Sequence, residues 1–301
     1  MSNSSIKYST NQLRDYSSIF SRRQSLSIID GNLEGLESKI DRYDQSWRAK
    51  KSATYLEYIK HAYKVISTHY KNEYVYKNTL LNALIIKELG TENSKVFSEF
   101  RVGDSIADLA MFNGCSKVFE IKSDLDTPQR LETQLKDYHK VFNEVYLVVP
   151  QSKLKDFRHI DSEVGIIAVK KDNTIELVRE AHYKDTIEAA TLMTVLRTSE
   201  YRSMAKAYTE DLPKMSSFTQ FDICSKILKE IPCDILNDLF ITEMKKRKSN
   251  ESFSATQFKE LNQLFLALNL TKKGKSHFIA NLNKPIRKLC TTHTLERANL
   301  S

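Results

Sequence analysis

Apolar and polar residues recur along this chain with two different periods, and the change of period marks its organisation. From about Ser52, the residues Tyr55, Ile59, Ala62, Tyr63 and Ile66 recur three and four positions apart and form one face of a helix. A second helix is expected over Glu73–Leu89, with Val75, Leu80, Leu81, Leu84 and Ile85 inside and Gly90 as its stop. The period then drops to two. Short β-rich runs around Val96–Arg101, Ile106–Phe112, Lys117–Lys122, Val145–Pro150 and Val164–Lys170 are separated by turn residues. Between the third and fourth runs a helix reaches about Phe142, with Asp126 or Thr127 as cap and Pro128 in the first turn. From about Asp185 the helical period returns, over Ile187–Tyr208, Phe221–Glu230, Asp234–Arg247 and Ser254–Leu270.

This order predicts an α/β layer with a mixed sheet flanked by helices, followed by an all-helical C-terminal domain. The expected boundaries are a loosely ordered arm or late-docking segment with one or two short helices over 1–50, where Gly31 and Gly35 interrupt longer ones, an α/β core over 51–185, and a helical domain over 186–301. Composition agrees with a folded, water-soluble chain: 41% of the residues are hydrophobic and 28% charged, and 7 Gly and 5 Pro exclude collagen-like and low-complexity architectures. No apolar run approaches the roughly 18 residues that span a bilayer, and the N-terminus lacks the apolar core of a secretory signal. A cytoplasmic protein without membrane association is expected. Four cysteines, Cys115, Cys224, Cys233 and Cys290, lack zinc-knuckle spacing and read as reduced thiols.

Locating the charge changes the picture. Of the net +8, residues 245–301 contribute +9, with 12 Lys+Arg against 3 Asp+Glu, and the rest of the chain is near neutral. Such a segment is either a solvated face or a surface for polyanions.

Glu120-Ile121-Lys122 follows Asp108 by twelve residues, in an apolar, strand-like run. Two other Glu-x-Lys triplets, Glu37-Ser-Lys39 and Glu243-Met-Lys245, lie in the Gly-interrupted arm and on a basic helix. In a strand, Glu120 and Lys122 point to one face. Asp108 alternates with Ile106 and Ala110, an unfavourable place for a carboxylate unless something binds it. Two converging carboxylates with the Ile121 carbonyl beside them suit a hard cation such as Mg²⁺, and Lys122 could orient a water or stabilise charge on a phosphate. Convergence requires that the strand-to-strand register pair residues whose numbers sum to 228, which a loop Asn113-Gly114-Cys115 provides and a two-residue turn does not. On the next helix Leu131, Leu135, Tyr138 and Phe142 form an apolar stripe that Gln134 interrupts.

Asp108, Glu120-x-Lys122 and Gln134-Leu-Lys-Asp-Tyr138 resemble the PD-(D/E)XK nuclease superfamily, with the Gln-x-x-x-Tyr helix of its RecB-like members. The run from about Glu73 to Pro150 is similar to a bacterial and phage family of uncharacterised nucleases often encoded beside a "beta" protein. Matching pieces are Ala107-Asp-Leu-Ala110, Phe119-Glu-Ile-Lys-Ser-Asp-Leu-Asp-Thr127, Arg130-Leu131 and Val145-Tyr-Leu-Val148; Ala107 replaces the superfamily's proline. The resemblance implies a restriction-endonuclease-like core and a Mg²⁺-dependent DNA endonuclease, with Mn²⁺ as substitute. Asp108, Glu120 and the Ile121 carbonyl would hold metal, Lys122 would support the attacking water, and Gln134 and Tyr138 would shape the site. The superfamily's further acid is assigned to Glu73, with Glu88 and Glu99 as alternatives. It also implies duplex DNA as substrate, a homodimer, a protein partner encoded nearby, and a role in defence against phage or mobile DNA. The competing expectation is a non-catalytic nucleic-acid-binding or partner-docking module on the same fold.

Overall fold

A tight turn at Gly114 sets the register on which the sheet is built. Gly114 has φ +72° in the computed structural model, a left-handed conformation open to glycine at little cost, and Asn113 pairs directly with Cys115 across it. The structure describes residues 8–85, 94–124, 126, 130–157, 159–209, 211–248 and 257–288. Their contacts divide the chain into two compact units, one of residues 1–70 with 270–301 and one of residues 71–269.

The larger unit is a mixed α/β layer. Six strands, β1 (Lys95–Val102), β2 (Ser105–Asn113), β3 (Cys115–Ile121), β4 (Glu144–Pro150), β5 (Gly165–Val169) and β6 (Ile175–Arg179), lie in sequence order. β1–β2–β3 and β5–β6 pair antiparallel, and β3–β4–β5 pair parallel. The parallel step needs a crossover, which a helix over Leu131–His139 supplies. Its expected caps Thr127 and Pro128 lie outside the described residues, and Arg130 holds the N-cap position. β6 was not expected: Glu176, Leu177 and Val178 are all exposed on this edge strand, so no apolar-in alternation announces it.

Both faces of the sheet are covered. Val118, Val145, Leu147 and Val149 face Leu131, Leu135 and Tyr138 together with Leu192, Met204, Leu228 and Phe240 from the C-terminal helices. Phe119, Ile121, Tyr146 and Val148 face Tyr76, Leu80 and Leu81, which lie on a helix over Glu73–Leu80 and the π-helical turn Leu81–Ile85 that continues it. The expected continuation to Leu89, Gly90 and the candidate Glu88 lie outside the described residues.

The C-terminal region is helical, over Ala189–Val195, Thr198–Tyr208, Gln220–Glu230, Cys233–Lys246 and Asn262–Leu268. These helices belong to the same compact unit as the sheet rather than to a domain beginning at 186. The physical reason is the sheet's apolar face, which would otherwise lie open to water. The basic segment is likewise divided: Lys245–Lys248 fall in the larger unit, and Lys272, Lys273, Lys275, Lys284, Arg287 and Lys288 in the smaller. Arg247 is half-buried, with guanidinium nitrogens 2.7 Å from each Glu200 carboxylate oxygen.

In the smaller unit, where one or two short helices were expected at most, four are packed together, over Thr10–Ser18, Arg22–Ile29, Glu34–Tyr43 and Ser46–Ala49, joined by Tyr55–His69 and Lys272–Leu282. Tyr16, Ile28, Leu36, Ile40, Tyr58, Ile66 and Phe278 are buried there. Tyr16 and Tyr58 both donate to Asp44, at 2.6 and 2.9 Å. Four helices of ten residues or fewer hold too few turns for periodicity to show in the sequence.

Close packing at Gly165 makes a direct prediction. A Cβ there would stand 2.4 Å from the Tyr146 ring and 2.7 Å from the Ala181 nitrogen. Gly165→Ala is expected to cost about 1–3 kcal/mol by overpacking, read as a lower urea midpoint. An unchanged midpoint would show that both the Tyr146 ring and the backbone at Ala181 can give way.

A candidate active site between β2 and β3

The β2–β3 ladder runs from Asn113↔Cys115 to Leu109↔Phe119, pairs that all sum to 228. Extended by one step, this register sets Asp108 across from Glu120. The regular pairing stops there, and the neighbouring strand is irregular at the same level. Glu99, the residue that the β1–β2 register sets across from Asp108, has φ +56°. Phe97 and Phe100 consequently pack into the same core although they are three positions apart. Asp108 uses the interruption: its Oδ2 accepts the Ile121 N–H at 2.7 Å.

Five side chains converge on this point. Lys122 Nζ donates to Glu120 Oε1 at 2.8 Å and to Gln134 Oε1 at 2.9 Å. The Tyr138 hydroxyl donates to Glu120 Oε2 at 2.8 Å. Gln134 and Tyr138 lie four apart on the crossover helix, so one face of it presents both to the end of β3. Asp108 and Glu120 are held mostly out of water, with side-chain exposures of 17% and 4%. The sequence-expected residues Asp108, Glu120, Lys122, Gln134 and Tyr138 are thus brought together.

The sequence reading missed Lys77. Its ammonium lies 2.5 Å from Glu73 Oε1 and 2.8 Å from Asp108 Oδ1, and its side chain is 7% exposed. Glu73, itself 58% exposed, therefore joins the site through Lys77. In sequence the Glu73/Lys77 spacing reads as an ordinary solvated i,i+4 pair. The available signal was that Lys77 sits in a run with Val75, Tyr76, Asn78 and Leu80, all buried. The Tyr76 hydroxyl also donates to Asp124 Oδ2 at 2.9 Å, tying the segment after β3 to the Glu73–Leu80 helix. Glu99 is exposed. Lys136 and Lys140 pair with Glu132 and Asp137 on their own helix or just beyond it.

Burial pushes the Asp108 carboxyl above the usual carboxylate range, with Lys77 and the Ile121 N–H pulling back. Burial, and then the charge of Asp108, pushes Glu120 up against the pull of Lys122 and Tyr138. Burial and the Glu120 charge raise the Tyr138 phenol, so it acts as a donor. For Lys77, burial lowers the pKa, but Asp108 and Glu73 outweigh it and the ammonium keeps its proton.

These shifts have a defined sign. A carboxyl raised in the folded state stabilises the fold fully below its unfolded pKa of about 4.3 for Glu, and that contribution is lost as pH rises through the folded value. The melting temperature of the parent relative to Glu120→Gln, in chelator, is therefore expected to fall from about pH 4 to about pH 7. A difference that rises over this interval would contradict a raised Glu120.

Among the described residues, one group of three ligand-type side chains has its donor atoms within 4.8 Å of one another: His139, Asp161 and Glu163, away from the residues above. Glu163 is already 2.5 Å from Lys184 Nζ. No described helix is long and apolar enough to cross a membrane.

Comparison with known proteins gives three likenesses. A solved protein of unknown function from Silicibacter pomeroyi covers 46% of this chain and 94% of its own, at 15% identity and a TM-score of 0.30. Protein cII of Enterobacteria phage P4 is 25% identical over 215 residues, which is 68% of this chain and 77% of that protein. The family model described as bacteriophage P4 protein cII matches residues 66–268, nearly coextensive with the larger unit and including Glu73, Lys77, Asp108, Glu120, Lys122, Gln134 and Tyr138. Since that match takes in two thirds of its length, the chain belongs to the bacteriophage P4 protein cII family.

Proposed function

We propose that this protein is a metal-dependent nuclease that hydrolyses phosphodiester bonds in DNA. The observation that carries this reading is the convergence of the half-buried Asp108, inside β2, and the buried Glu120, near the end of β3, with Lys122 held between Glu120 and Gln134. Burying two carboxylates at one place costs stability unless the arrangement serves something else, and the sheet itself has no structural need of such a pair. The PD-(D/E)XK resemblance of these residues supports the same reading, as does membership in a phage protein family for work on phage or mobile DNA.

The donor set fits Mg²⁺ or Mn²⁺. It consists of carboxylate oxygens, and each hydrogen bond described above leaves its oxygen a further lone pair. Asp108 and Glu120 would hold the ion, with the Ile121 carbonyl beside them. When bound, the ion would polarise the scissile phosphate and acidify a water. The remaining work belongs to the chain. Glu120 and Gln134 hold the Lys122 ammonium where it can orient the attacking water and offset charge gathering on the phosphate. Tyr138 fixes the Glu120 carboxylate by its second oxygen. Exposed Lys272, Lys273, Lys284, Arg287 and Lys288 supply positive charge for the sugar–phosphate backbone, contacts that position rather than specify sequence. Cleavage of both strands by a single core implies a homodimer or a protein partner, inside the cell.

The test is incubation of supercoiled plasmid with purified protein and Mg²⁺ or Mn²⁺, with chelator as control. Metal-dependent conversion to nicked or linear DNA is expected. A second reading, a non-catalytic nucleic-acid-binding module, is favoured by one observation: Lys77 and Lys122 already neutralise both carboxylates. It requires salt-dependent DNA affinity that Mn²⁺ leaves unchanged.

A further inference from the structure

We propose that the Lys77 ammonium fills a cation subsite between Glu73 and Asp108, which a divalent cation enters only by displacing it. This rests on the reading of Asp108 as a metal-binding carboxylate and adds a residue that the reading does not supply. Lys77 Nζ stands 2.5 Å from Glu73 Oε1 and 2.8 Å from Asp108 Oδ1, so one cation already bridges the two acids. An ammonium and a hard divalent ion seek the same carboxylate oxygens, the ion at about 2.0–2.6 Å. Both cannot occupy one position between the same two carboxylates.

The surroundings favour displacement of the side chain rather than of the helix. Asn78, the next residue, anchors the helix backbone: its Nδ2 donates to the Lys259 carbonyl at 2.8 Å, and its Oδ1 accepts the Gln263 N–H at 3.0 Å. Lys77 itself has a flexible four-carbon stem, and Glu73, the outer acid of the bridge, is 58% exposed. The arrangement also explains why a lysine stands in so buried a position. Without a metal, Asp108 and Glu120 would otherwise set two carboxylates near each other out of water, and Lys77 and Lys122 each place one positive charge there. Lys77 is thus a positioning residue for the metal-free site and a competitor of the metal.

The experiment titrates Mn²⁺ alone into the full chain, by calorimetry and by melting temperature, for the parent, Lys77→Met, Lys77→Gln and Asp108→Asn. Removing the competing charge is expected to tighten Mn²⁺ binding by about tenfold or more in both Lys77 variants. Their melting temperatures should lie below the parent's in chelator and rise further than the parent's on adding Mn²⁺. A purely structural lysine would lower the melting temperature without tightening the metal, and that result overturns the proposal. Lys77→Gln keeps a hydrogen-bond donor and serves if Lys77→Met fails to fold. Parent binding that Asp108→Asn abolishes, with Lys77 variants no tighter, sinks the Lys77 proposal and leaves the metal reading standing. Absence of Mn²⁺ binding in every protein, the Lys77 variants included, sinks both.

Discussion

The Asp108→Asn protein is expected to keep its fold and to lose at least about a thousandfold in metal-dependent plasmid nicking, a change of about 4 kcal/mol in the barrier. Asparagine is nearly isosteric, and its carbonyl oxygen can still accept the Ile121 N–H that Asp108 Oδ2 now accepts. The charge is what disappears. Lys77 keeps Glu73 as a partner, so the loss of one ion pair does not leave its ammonium alone. A bound ion contributes several kcal/mol to charge stabilisation in such reactions, and a neutral amide holds it far less well. Lys122→Ala is expected to be inactive too, but it leaves the buried Glu120 carboxylate with Tyr138 alone among its described partners. Asp108→Asn is therefore the cleaner variant, and circular dichroism with a melt of each protein separates lost chemistry from lost fold. Nicking by Asp108→Asn at the parent's rate would remove Asp108 from the site.

Phe112→Ala is expected to destabilise the larger unit by about 3–5 kcal/mol, or a fall of about 10 °C in melting temperature for a unit of this size. Phe112 is fully buried on β2, and its ring centroid lies 5.8, 5.7, 5.9 and 5.3 Å from those of Phe97, Phe100, Phe142 and Phe240. The first three belong to the strands and the end of the crossover, and Phe240 to the Cys233–Lys246 helix. Truncation therefore loosens the sheet and the C-terminal helices at one point. In a urea melt followed by helical signal, the part of the transition that belongs to the larger unit should move to lower urea, sheet and C-terminal helices together. A loss below about 1 kcal/mol would mean that this helix is not seated on β2 as described.

What the residues announced by themselves follows from local periodicity and local chemistry. Five of the six strands, the crossover helix with its buried Leu131, Leu135 and Tyr138, and the mixed character of the sheet were legible because alternation by two and by three or four is imposed by a single buried face. The register sum of 228 was legible as a condition, since Asn113-Gly114-Cys115 left few ways to turn. Within the site, Glu120 with Lys122 and Gln134 with Tyr138 were legible as local pairs on one strand face and one helix face, and the resemblance joined the two; the contacts between them, Lys122 to Gln134 and Tyr138 to Glu120, span strand and helix.

Only the tertiary structure decided the rest. β6 carries no inward alternation because its residues are largely exposed at the edge. The four short N-terminal helices are held by tyrosine hydroxyls on Asp44 and by apolar residues supplied from both ends of the chain. No window of a single helix contains that information. The C-terminal helices join the sheet because Phe112 and its neighbours need cover, a demand made by residues more than a hundred positions away. Lys77 shows the same limit within the site. Its i,i+4 partner Glu73 is visible in sequence, whereas Asp108 reaches it only once β2 interrupts its ladder beside the Glu73–Leu80 helix. Periodicity reports which face of an element is buried, and long-range packing decides against what.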